Sequence, residues 1–210
     1  MGLAKTGFTK ETPQRYLIDA AVVYLNLKFA NGEFTGTLAG ATSGGVTVAV
    51  ENTYRDIETD GTSHMRVKGQ KILETAVATA TTNMKEITAE TIKRSLNGRI
   101  TTPSPTIAPE GYKVVSSKRY INDADYIDNI AIVGRLSGST QPVIVILDNV
   151  IVNNGVEIAT EDNNEAVIEQ VYEAHATHEQ LGKDEYPWRI LFPPQDGSST
   201  TSPDNTEGDE

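Results

Sequence analysis

Between residues 23 and 29 the order Val, Tyr, Leu, Asn, Leu, Lys, Phe follows a two-residue period, which predicts a strand with Val23, Leu25, Leu27 and Phe29 on one face. Asn31-Gly32 follows at once as a turn signal. The pattern returns at Val46, Val48 and Val50, with Thr47, Ala49 and Glu51 on the other face, after a glycine-rich connection at residues 40–45. Residues 52–71 mix charges of both signs with few apolar positions and read as a long loop, and residues 72–84 resume as a strand rich in Thr and Ala. Thr88 is placed to cap a helix over 89–97, with Ile92 and Leu96 one turn apart, Lys93 and Arg94 near the negative end of the helix dipole, and Gly98 at C′.

Pro103, Pro105 and Pro109 impose an extended crossing, after which strands are expected at 112–115, 127–133 and 143–152. The last of these is apolar on both faces and should be central. Residues 165–176 fit either element: Glu, Ala and Gln favour a helix, whereas Ile168, Tyr172 and Ala174 would share one strand face, and the strand is preferred. A final strand at 186–192 precedes Pro193-Pro194. Residues 1–19 are polar and aperiodic, an N-terminal arm; 20–195 form the β domain; the Ser, Thr, Asp and Gly tail at 196–210 lacks the apolar anchors that would offset its ordering entropy and is expected to be disordered.

Composition narrows the function. The 210 residues include no Cys, which removes disulfides, thiolate zinc sites and Cys nucleophiles. One Trp and four Phe leave a core of Val, Ile, Leu, Ala and Tyr, thin for this length. No apolar run approaches the roughly 20 residues that span a bilayer, and no signal-peptide pattern opens the chain, so folding in a cytoplasm without a membrane partner is expected. The formal charge is −11; the tail holds five carboxylates and no cation, which leaves −6 on the rest. An acidic body disfavours nucleic acid as a bound ligand and is compatible with a surface along which DNA slides.

Candidate chemistry is sparse. His175 and His178, with Glu173 and Glu179, form the one metal-like cluster, but on a strand a three-residue spacing sends the two rings to opposite faces. The glycines at 40–45 lack a P-loop ending and lead into a strand. Asp56, Glu58 and Asp60, like Asp123, Asp125 and Asp128, lack the twelve-residue calcium loop ending in Glu. With no nucleophile elbow either, no catalytic residue, metal site or cofactor is expected, and the chain reads as a non-enzyme.

The stretch GATSGGVTVAVENTYRDIETDG at 40–61, VKG at 67–69, EITAETI at 86–92, NNEA at 163–166 and EAHA at 173–176 resembles the major tail protein of long-tailed bacteriophages, the tail tube subunit. The resemblance covers most of residues 20–192. It implies a mainly β fold, a β-sandwich or barrel of the tail-tube type with one short flanking helix and a long inter-strand loop. Subunits of that family close rings, usually of six, that stack into a tube through which DNA passes; six copies at −11 each would carry −66. The loop corresponds to an inter-ring contact made by Tyr54, Arg55, Asp56, Ile57, Glu58, Asp60, Met65, Arg66, Val67 and Lys68, and the helix to a ring contact made by Ile92, Lys93, Arg94 and Leu96. Implied partners are further copies of the chain, tape measure, tail terminator and baseplate or tail-tip proteins, and phage DNA passing without specific binding. The implied location is the virion tail, assembled in the bacterial host cytoplasm. A contractile-tail, tailocin or secretion-tube subunit would look the same, and a β-sandwich ligand-binding module is the alternative from a different class.

Overall fold

The first alternating stretch forms a strand longer than its pattern: in the computed structural model of the chain, which describes residues 6–61, 64–160 and 162–194, β1 spans Leu17–Ala30. The tail at 196–210 lies outside the described residues. A 3-10 turn at Thr12–Gln14 precedes β1. Then come β2 (Glu33–Leu38), β3 (Thr42–Asp56), β4 (Lys71–Met84), α1 (Ala89–Ser95), β5 (Arg99–Thr101) and β6 (Val114–Ser116). After a 3-10 turn at Asp123–Asp125 follow β7 (Ile127–Leu136), β8 (Val143–Val152), β9 (Ile168–Glu173), α2 (His178–Gly182) and β10 (Trp188–Leu191). The chain is mainly β, as expected.

Strands neighbour one another in the order β2-β1-β7-β8-β9-β4-β3, every pair antiparallel, with β10 also on β8 and β5-β6 as a separate ribbon. β8 is central and almost wholly buried, as its two apolar faces predicted. One of its edges pairs with β7 along nearly the whole strand. The other pairs with β10 from Ile144 to Leu147 and with β9 at Ile151 and Val152. The change of partner falls at Asn149, whose φ of 48° is a left-handed conformation that Asn tolerates. Its side-chain amide donates to the carbonyl of His175 at 3.0 Å. Strands that pass between packed sheets turn such corners at bends and bulges.

The corner lets the β8-β9-β4-β3 portion fold over the β2-β1-β7-β8 portion. The core between them holds Ala78 and Ala80 of β4, Ile130 and Ile132 of β7, Leu147, Val150 and Val152 of β8, and Tyr172 of β9. The small alanines of β4 permit the close approach that its composition suggested. At the far side Val23 of β1 packs with Ala39 and Met84, and Val46 of β3 joins them. β1, next to one end of the strand order, thus touches β3 at the other end, and the sandwich approaches a barrel.

Four expectations need correction. Val23 and Leu25 face the core, but Leu27 packs on the opposite face with Tyr24, Ala131, Ile144 and Ile146, and Phe29 is exposed. Asn26, at φ 53°, makes a bulge in the β1-β2 register, and one extra residue inverts every side chain beyond it. The loop predicted over 52–71 is shorter at both ends: β3 continues to Asp56, paired with Lys71, and the connection is 57–70. Asn97, not Gly98, occupies C′, with φ 46°; its amide donates to Arg94 and that of Gly98 to Lys93, the Schellman pattern. The strand expected at 112–115 is the shorter β6. Residues around 168–173 form a strand and not a helix, with Ile168 and Tyr172 inward. Asn31-Gly32 makes the two-residue hairpin turn, but β2 behind it, β5 and α2 had not been anticipated.

Gly98 is required for a different reason from helix termination. A Cβ there would lie 2.3 Å from the backbone oxygen of Ser116, in the β5-β6 ribbon. Gly98→Ala should therefore destabilise the protein by roughly 1–3 kcal/mol, as overpacking does. Thermal unfolding beside Gly45→Ala, where a Cβ meets nothing within 4 Å and only the φ of +83° is strained, checks this: an equal or smaller loss at Gly98 would be inconsistent with the contact.

Candidate functional site

The hairpin of β3 and β4 outruns the sheet that supports it. β9 pairs with β4 from Thr79 to Met84 and the Ala174 amide donates to the Ala78 carbonyl, so Lys71 to Val77 have β3 as their single neighbour and form a two-stranded arm. Such a ribbon is marginally stable in water by itself. Cross-strand contacts support this one: the hydroxyls of Thr53 and Thr75 are 2.5 Å apart, Arg55 lies 3.7 Å from Glu74, and the Lys71 ammonium sits 5.6 Å from the centre of the Tyr54 ring. All three are exposed, and such pairs contribute little each.

The ten predicted loop residues all lie on this arm. Tyr54, Arg55 and Asp56 are in β3, and the other seven surround the tip. The tip is closed by Ile57 N–H donating to the Gln70 carbonyl and by an Asp56–Arg66 pair at 3.7 Å. Around a shallow hollow stand Ile57, Met65 and Val67, all exposed and Met65 by 68%, among Glu58, Asp60 and Arg66. Glu58, Asp60 and Lys68 have no ion-pair or hydrogen-bond partner among the described residues.

The helix is mounted by polar groups. Thr88 caps α1 as predicted, accepting from the Thr91 amide at 3.1 Å. Ile92 and Leu96 are only half-buried, whereas Thr91 and Ser95, one turn apart, face the sheet. Gln170, fully buried on β9, donates to the Thr91 carbonyl at 3.1 Å and to Ser95 Oγ at 2.7 Å, and its Oε1 accepts from the Tyr172 hydroxyl at 2.5 Å. Arg94 turns inward to the Tyr172 hydroxyl at 3.3 Å and the Ala39 carbonyl at 3.4 Å. Of the four predicted helix residues, only Lys93 is freely exposed, 3.6 Å from Glu90. The sequence sign of this docking face was Thr91 and Ser95 at i, i+4 opposite Gln170 and Tyr172 at i, i+2.

Beyond the C-terminal end of α1 opens a cleft of about 700 Å³, floored by Val150 and Val152 of β8 and bordered by Lys93, Arg94, Arg99 and Lys118 together with Glu90, Asp125 and Asp128. Asp125 binds Lys118 and accepts from the Asn122 amide at 2.9 Å; that backbone bond first, then Lys118, holds its carboxyl below the usual range. Arg99 meets Ser116 Oγ at 3.4 Å and, among the described residues, no carboxylate. The segment 85–121 carries seven Lys or Arg against three Asp or Glu, a net +4, so the remainder of a chain at −11 carries −15.

The other candidates are accounted for locally. His178 opens α2, capped by a reciprocal Thr177–Gln180 box, and His175 stacks edge-on to Tyr126 at 5.3 Å. Among the described residues no three His, Asp or Glu gather as a metal site. Gly44 and Gly45 form a bulge inside β3.

No protein-family model matches the chain, and no curated protein matches it. Among solved structures, a chain from the virion of a native gene transfer agent particle is similar at 11% identity and a TM-score of 0.38, covering 75% of this chain and 92% of that one. A chain from the tail of an empty gene transfer agent particle gives 12%, 0.39, 75% and 92%. A chain from the baseplate of the anti-feeding prophage gives 9%, 0.37, 84% and 95%.

The Tyr172 network has a pH signature. Burial holds the hydroxyl above its ordinary value of 10.0, against the lowering pull of Arg94. Above pH 10 the unfolded chain releases this proton while the folded one retains it, so stability present below pH 10 is lost as pH rises toward the folded value. Tyr172→Phe should cost about 1–2 kcal/mol at neutral pH and remove that alkaline decline. Chemical denaturation of both proteins from pH 8 upward tests it, and parallel curves would count against the coupling.

Proposed function

We propose that the chain is a structural, non-enzymatic subunit of a phage tail tube or of a tube derived from one, working by self-assembly into stacked rings, six-membered as in the family it resembles. The observation that carries this reading is the arm: a two-stranded ribbon of mixed charge with Tyr54, Ile57, Met65 and Val67 exposed has too little of its own chain to pack against and needs a neighbour. Tubes of contractile tails, tailocins and secretion systems would use the same parts. A ligand-binding module is less well supported, because Trp188 is half-buried against the core and Tyr186, and offers no open aromatic platform. Tape measure, terminator and baseplate or tail-tip proteins are the partners of this reading, and the virion tail, assembled in a host cytoplasm, its location.

The duct wall is assigned to the outer face of β3, β4 and β9. There Thr47, Ala49 and Glu51 lie opposite Thr81, Thr79 and Val77, and Thr79, Thr81 and Asn83 opposite Glu173, Val171 and Glu169. The side chains are short, three are carboxylates and none is Lys or Arg. Such a wall repels phosphates and lets DNA slide.

Electron microscopy of the concentrated protein should show tubes or stacked rings, and inert monomers would count against the reading. Replacing residues 56–68 with a short Gly-Ser linker should preserve circular dichroism and melting of the monomer yet abolish tubes; normal tubes would remove the arm from the mechanism. Unmodified tubes should bind duplex DNA negligibly at physiological salt. Tubes carrying Glu51→Lys, Glu169→Lys and Glu173→Lys should bind it with an affinity that falls as salt rises. Unchanged binding would place the duct on another face.

A further inference from the structure

The turn between β7 and β8 touches both ends of the described chain. The Ser137 hydroxyl donates to the Pro13 carbonyl at 2.6 Å and accepts from the Tyr16 amide at 3.1 Å, while the Ser137 amide donates to the Tyr16 carbonyl at 2.9 Å. Two residues on, the Ser139 hydroxyl donates to the Pro194 carbonyl at 3.0 Å and accepts from the Gln141 amide at 3.1 Å. Between them Gly138 leaves a seat for the N-terminal segment: a Cβ there would press on the Gln14 carbonyl oxygen and lie 2.6 Å from the Gln14 Cβ. The φ of Gly138 is outside the left-handed region, so the turn itself does not require glycine; the seat does. The seated segment has few other holds. From Thr6 to Leu17 no residue is buried, and Phe8, Tyr16 and Leu17 are exposed. Its ladder to β7 covers Leu17 and Ile18, then the register shifts and pairing resumes at Val22. Within the shift stands Asp19 at φ 65°, tied only by an exposed pair with Arg135 at 3.5 Å.

We propose that residues 6–18 form a hinged strap that turns about Asp19, is latched by Ser137 and Gly138, and is released when the chain is drawn away from Ser139 at Pro194. The strap opens as a unit because its own bonds, the 3-10 turn at Thr12–Gln14 and the Arg15–Glu11 pair, travel with it. Opening exchanges a few hydrogen bonds for bonds to water and uncovers no buried strap residue, so it lies at the low-cost end of local unfolding. A bulge with a left-handed residue is where such a change of dihedral angles is absorbed. The two ends are coupled because their anchors sit two residues apart in one tight turn, and the coupling is reciprocal. A partner that takes hold of the chain beyond Pro194 thereby frees an arm bearing Phe8, Tyr16 and Leu17. The device belongs to the single chain and operates whether or not the chain builds a tube.

Amide hydrogen exchange of the full chain tests the device. Gly138→Ala should speed exchange at Tyr16 to Ile18 by about tenfold or more, with exchange at Val22 to Leu25 and the melting of the β domain unchanged. Ser139→Ala, whose hydroxyl makes no bond to the strap, and separately Pro193→Gly with Pro194→Gly, should each speed exchange at Tyr16 to Ile18 by about threefold. Exchange that rises evenly through β1 in Gly138→Ala, or does not rise at all, overturns the strap. A strap unchanged in both of the other variants overturns its control from the C-terminal end, and a change in Ser139→Ala alone does the same by assigning the effect to the Gln141 brace.

Discussion

Everything in this fold hangs on β8 being shared. A single buried strand offers one edge to β7 and divides the other between β10 and β9, so both layers of the sandwich are hydrogen-bonded to the same backbone. The left-handed Asn149 makes that division possible, and Asp148 beside it holds Arg189 of β10 at 2.5 Å. Because the layers are joined through a continuous ladder as well as by core contacts, a core of Ala, Val, Ile, Leu147 and one buried Tyr suffices to keep them in register.

The same economy explains the helix. α1 is too short to be stable alone and presents Thr91 and Ser95 rather than an apolar stripe to the sheet. A buried Gln170 that satisfies both a helix carbonyl and a hydroxyl, and is itself satisfied by Tyr172, gives a docking geometry with directional preference that apolar packing would lack. The Asn97 side chain adds a bond to the Val152 carbonyl at 2.5 Å, so both ends of α1 are tied to the core. The cleft beyond it is therefore held by the core, whereas the arm at the other end is on a ribbon with no third strand.

In the proposed tube, that difference in support would matter for assembly. A ribbon with no third strand that gained its cover only from a neighbouring subunit would keep separate subunits from premature stacking and concentrate stability in the polymer.

What the sequence determined by itself was local. The apolar run of β8, the turn at Asn31-Gly32, the Thr88 cap and the alternation of Val46 and Val48 each depend on residues within one turn or one pleat, and each was legible. The exposure of the arm residues was legible too, because charge and apolar groups mix there without the period of a packed face. Three things needed the tertiary structure. The side of the sheet on which Leu27 lies depends on a one-residue bulge at Asn26, which a period-two pattern runs straight through. The docking face of α1 depends on Gln170, some 75 residues away from Ser95 in the chain. The cleft exists only because the β5-β6 ribbon and the Asp123–Asp125 turn bring Arg99 and Lys118 beside Lys93, and neither propensity nor periodicity carries information about contacts made across such separations.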